Sequence, residues 1–274
     1  MMKKIVLTIL ISSLFGLPNV SGQSFKDVFV KALAEKNLAE AKEILLAWDY
    51  EDRNDPELYP SYFNYYTLKS QEKDSLSYDK KYADSALYYI SEGINMFPTR
   101  LDMRVAKIYM LSKLNEFDVL TDETLQLIEY SKKIGNNWKG ENFKLVDIPQ
   151  TVIEGAVQDF QEILFAEKDT TLFDNIRKIS ESMAKHYPGY EQSWINISTL
   201  HAINKEYDKS LEALKKAEKI NPKNPFLLYN MAYVYKIKGD KTNAEKYFRL
   251  TISHVDNNKE IKLKQAAEEQ LKQL

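Results

Sequence analysis

Three histidines, His186, His201 and His254, are the side chains most able to bind a metal or shuttle a proton. A metal site would need two or more of them to converge with a carboxylate. Their spacing instead sets His186 and His254 near the ends of two helices, where a cation is favoured by the helix dipole. Carboxylate pairs occur at Glu162 and Glu167, Asp122 and Glu123, and Glu268 and Glu269. Two-carboxylate hydrolysis requires the acids to face each other across a pocket, which neighbours on one helix cannot do. With no cysteine in 274 residues, thiol catalysis, disulfides and Cys-ligated metals are excluded. No HExxH, GxSxG or Gly-rich phosphate loop is present. The chain therefore reads as non-catalytic, with no cofactor and no metal. What stands out is 18 tyrosines, arranged as helical stripes at Tyr59, Tyr62, Tyr65 and Tyr66 and at Tyr229, Tyr233 and Tyr235.

The elements that must carry these stripes are helices. Only 8 Gly and 8 Pro occur, too few for a turn-rich β architecture, and 28% charged with 44% hydrophobic residues is a globular composition. Residues 1–22 read as a secretory signal peptide: Lys3 and Lys4 precede an apolar run at 5–17, and small residues follow before Gln23. The run is short of the ~20 residues that span a bilayer, so cleavage and export are expected, to a periplasm or cell envelope. Losing Lys3 and Lys4 leaves 36 bases against 40 acids, a net charge of −4. A nucleic-acid partner is not expected from that balance, nor a membrane-spanning mature chain.

The C-terminal third repeats with a period of 34 residues, from Glu191 and from Pro225. Trp194 matches Leu228, Ile197 matches Met231, Ser198 matches Ala232, and His201 matches Tyr235. Ser210 then matches Ala244, Leu214 matches Phe248, and Ala217 matches Thr251. Each unit contains two amphipathic helices. Gly239 breaks the second pair, and Pro222 and Pro225 separate the units.

These residues resemble the tetratricopeptide repeat (TPR) family, in which large apolar residues wedge between repeats and small ones let paired helices approach. Lys205 departs from the pattern, standing where Gly239 stands in the next unit. A weaker unit starts at Val157 and carries Phe160, Ile163, Leu164, Ile176, Met183 and Pro188. Earlier units begin at Gly22 and Pro56, the latter with an insertion at 71–81 and then Ala86, Ile90 and Gly93. Segments 101–114 and 121–134 make a further, degraded pair. The expected fold is all-α: a right-handed TPR-like solenoid of about six helix pairs, with a capping helix at 258–274. The expected organisation is a signal peptide at 1–22, degenerate helix pairs at 23–136, an irregular connection at 137–156, and a TPR domain with its cap at 157–274.

The resemblance implies a protein or peptide partner held in a concave groove lined by the first helix of each pair. In this chain those positions are Phe226, Tyr229, Tyr233 and Lys236, with Ile195 and Thr199 one repeat earlier. Aromatic side chains there have no core duty in the repeat frame, so they serve either to bind a peptide or to pack against the C-terminal capping helix. A clamp for a partner's C-terminal carboxylate, as some TPR domains carry, is not expected: Asn230 and Lys264 fit, but Ile195, Thr199 and Glu260 do not. Asn196-Ile197-Ser198 is a glycosylation sequon within a packed helix pair and is discounted. The competing reading is a helical envelope enzyme or glycan-binding protein using carboxylates and tyrosines.

Overall fold

The computed structural model describes residues 24–71, 77–255 and 260–274. The leader and the middle of the 71–81 insertion lie outside these residues. Among them stand thirteen α-helices and no strand. In chain order they are α1 (Phe25–Ala34), α2 (Leu38–Glu51), α3 (Leu58–Ser70), α4 (Lys80–Met96), α5 (Leu101–Lys113), α6 (Phe117–Lys133), α7 (Pro149–Ala166), α8 (Phe173–His186), α9 (Glu191–Ile203), α10 (Tyr207–Ile220), α11 (Pro225–Ile237), α12 (Lys241–His254) and α13 (Ile261–Lys272). The fold is all-α, its thirteen described helices following one another along the chain.

Local chemistry sets the helix ends. Ser24 and Asp27 form a reciprocal capping box at the start of α1. Asn224 caps α11 by accepting from the Phe226 and Leu227 amides, with Pro225 in the first turn, where its missing N–H costs nothing. The connections after α1, α5, α7, α9 and α11 each place one residue in the left-handed region: Lys36, Asn115, Lys168, Lys205 and Gly239. Only the last is the glycine that such a position favours.

The helices gather into two compact units. The first holds α1 to α5 and the segment Asn137–Pro149. Its core includes Trp48, Tyr59, Tyr62, Tyr65 and Ile90, so the first tyrosine stripe is interior except for the half-buried Tyr66. Tyr62 stacks on Tyr89 with ring centroids 4.0 Å apart. Gly93 lets α4 approach α3: a Cβ there would stand 2.6 Å from the Tyr59 Cβ. The second unit holds Glu116–Asn136 and Gln150–Leu274, and so α6 and α8 to α13 with nearly all of α7. The two helices read as the degraded pair are thus assigned to different units.

The expected irregular stretch at 137–156 ends early, because α7 begins at Pro149. The proline opens the helix, where its missing N–H costs nothing, and Ile153 is fully buried. The remainder is irregular and mostly exposed, anchored in the first unit by one indole. Trp138 is completely buried, with the Arg104 guanidinium 5.7 Å from its ring centroid.

Candidate partner-binding face

In the second unit, the two strongest repeats close their helix pairs through small residues. Ser198 and Ser210 are hydrogen-bonded at 2.7 Å, and Ala232 and Ala244 are fully buried at the equivalent positions. The large residues Leu228, Met231 and Phe248 fill the space between helices. This packing holds α11 with Leu227, Leu228, Met231 and Val234 inward. It leaves an outward stripe at helical spacing, made of Phe226, Tyr233 and Ile237 at 52%, 44% and 43% exposure. Ile203 at the end of α9 is also exposed.

The six residues expected to line the groove divide into three kinds. Phe226 and Tyr233 are the exposed aromatics. Tyr229 is half-buried between them: it stacks on Tyr233 at 6.4 Å and meets the Phe248 ring edge-on at 5.6 Å. Burial, with Tyr233 and Glu269 nearby, raises the pKa of its phenol, which stays protonated at neutral pH. Tyr229 therefore has the core duty that the repeat frame did not assign to it. Lys236 is engaged by the cap, its Nζ donating to Gln270 Oε1 at 2.8 Å and Gln273 Oε1 at 3.2 Å of α13 and its following residue. Ile195 is 4% exposed and belongs to the core, because its turn of α9 faces the next repeat. Thr199 is half-buried and donates to the Ile195 carbonyl. An open face of Phe226, Tyr233 and Ile237 remains, backed by Tyr229.

The histidines do not come together as a site. His201 Nδ1 pairs with Glu206 Oε2 at 2.6 Å, while His254 Nδ1 donates to the Leu250 carbonyl one turn back. Asn196 of the sequon is buried and donates to Gln161 Oε1 at 2.9 Å. Tyr235, from the second tyrosine stripe, stacks on Tyr247, whose hydroxyl donates to Glu218. Among the described residues no helix is long and apolar enough to cross a membrane.

A charged cluster that sequence reasoning missed lies in the first unit. Arg100 is fully buried. It is held by Glu57 at 2.7 Å and by both Asp102 carboxylate oxygens, at 2.8 and 2.6 Å. Glu57 also accepts from Lys26 Nζ at 2.7 Å and from the Asn142 amide at 2.8 Å. Burial pushes the Glu57 carboxyl up, but Lys26, Arg100 and the Asn142 N–H outweigh it and hold the group below the usual carboxylate range. These are structural ties that pin the irregular segment to α1, α3 and α5.

Residues 191–224 and 227–253 match the tetratricopeptide repeat family model. Residues 191–253 are thus similar to tetratricopeptide repeats, a fold that suggests protein–protein interaction. No curated protein sequence matches the chain. Among solved structures, MamA from Desulfovibrio magneticus RS-1 is similar at 13% identity and a TM-score of 0.42, over 70% of this chain and 94% of that one. YrrB, described as a TPR protein with an unusual peptide-binding site, is similar at 10% identity and a TM-score of 0.45, covering 82% and 97%. BtubC from P. vanneervenii is similar at 12% identity and a TM-score of 0.46, covering 85% and 91%.

Proposed function

We propose that the protein is an exported, non-catalytic adaptor that holds a protein or peptide segment against the α11 face. The observation that carries the reading is the exposure of Phe226 and Tyr233 on a helix whose other side is fully packed. Exposed aromatics supply large contact area at low entropic cost and are enriched where proteins meet. Export rests on the leader at 1–22, which supports a periplasmic or envelope address.

The test is retention of envelope proteins on the immobilised full-length chain, beside a variant carrying Phe226→Ala and Tyr233→Ala. Tyr229 is left intact because its contact with Phe248 makes it part of the fold. A partner kept by the parent and lost by the equally helical variant supports the reading. A partner kept by both moves the interface off α11.

A further inference from the structure

The second unit also encloses a cleft of about 420 Å³ that shares no residue with the α11 face. Trp194, Ile197 and His201 of α9 form its floor. Glu181 and Lys185 of α8 stand on one wall, and Glu212 and Lys216 of α10 on the other. Short connections join α8, α9 and α10, so neighbours run antiparallel and the two wall helices run in the same direction. On each wall a glutamate precedes a lysine by four residues, a rise of about 6 Å.

These wall charges are unused by the fold. Glu181, Lys185 and Glu212 have no hydrogen-bond or ion-pair partner among the described residues. Lys216 meets only the Trp194 ring, its Nζ 4.1 Å from the centroid. At the His201 end, Glu206 is already taken by His201 Nδ1 and by Lys209 at 2.7 Å. Trp194 itself is half-exposed, whereas Trp48 and Trp138 are buried.

Lys209 of α10 also lines the cleft, but Glu206 holds its ammonium, so a ligand bearing one sign of charge would meet as many like as unlike unpaired groups on these walls. The arrangement instead matches a molecule with both charges about one helical turn apart and a flat apolar group. We propose that the cleft binds a short zwitterionic peptide of two residues. Its carboxylate pairs with Lys185 and Lys216, its ammonium with Glu181 and Glu212, and an aromatic side chain replaces the Lys216 ammonium on Trp194. Two extended residues span at most about 7 Å, which suits the Glu-to-Lys rise, whereas one residue reaches half as far. The volume falls in the ~300–1,000 Å³ range of small-ligand sites. This site stands or falls independently of the α11 reading.

Glycyl-phenylalanine is the probe, titrated into the full chain while tryptophan emission is followed at an excitation where tyrosine does not absorb. Trp194 supplies the responsive signal because the other two indoles are shielded. A saturable change is expected, with N-acetyl-glycyl-phenylalanine and glycyl-phenylalaninamide each about a hundredfold weaker for loss of the two charge-assisted contacts at one terminus. Glu212→Gln, at an exposed position, removes one of these contacts and should weaken glycyl-phenylalanine about tenfold while leaving the N-acetylated peptide unaffected. No saturable change with glycyl-phenylalanine, or a blocked peptide binding as tightly as the free one, overturns the proposal.

Discussion

Ser198 and Ser210 share a hydrogen bond of 2.7 Å across the α9–α10 hairpin, and both are buried. That contact is possible only because the two helices carry small residues where they cross. Ser198→Leu should therefore destabilise the protein by about 1–3 kcal/mol through overpacking. Replacing both serines by alanine removes donor and acceptor together and should cost far less. Urea unfolding of the two variants against the parent checks the order; equal losses would contradict it.

Lys205 holds a left-handed conformation, φ 61°, at the turn where Gly239 sits at φ 80°. A side chain there costs about 1 kcal/mol relative to glycine. Lys205→Gly is expected to raise the melting temperature, and Gly239→Ala to lower it although nothing lies within 4 Å of the added Cβ. Thermal unfolding followed by far-UV circular dichroism reads both signs.

Gly93 packs against Tyr59, and any Cβ would collide with it. Neither backbone can retreat without moving a helix, so Gly93→Ala should destabilise by about 1–3 kcal/mol. The same change at Gly155, where nothing lies within 4 Å, should be neutral or stabilising. A melting comparison in which both variants behave alike would reject the close approach.

Glu57 ties Arg100, Lys26 and the Asn142 amide together. Glu57→Ala leaves the buried Arg100 with Asp102 as its acid partner among the described residues and should cost about 1–3 kcal/mol. Because the folded carboxyl lies below its ordinary range, its contribution is complete above the unfolded value and is lost as pH falls through the folded one. The difference in stability between parent and Glu57→Ala should shrink on acidification. A difference that grows towards acid would be contrary to this sign.

The repeat at 191–253 was legible because the positions that pack inward recur every 34 residues and carry fixed size classes. The break residues marked the hairpin ends for the same reason. What could not be read is non-periodic. Glu57 finds Arg100 43 residues away and the Asn142 amide 85 residues away. Gln161 is polar, so an apolar pattern passes over it, yet it is buried and joins Ser180 to Asn196. Lys236 is a groove position in the repeat frame, and the repeat spacing does not show that Gln270 and Gln273 take its ammonium. Nor does it show the half-burial of Tyr229, which depends on the edge of Phe248.

Under the proposed function Phe226 and Tyr233 form a binding face and carry little of the packing, since about half of each side chain is exposed. The direct measurement compares partner retention and melting temperature for the parent and the Phe226→Ala, Tyr233→Ala variant. Loss of the partner with melting nearly unchanged is the result expected of an adaptor face. A lowered melting temperature with the partner still retained would show these side chains to be part of the core and contradict the account.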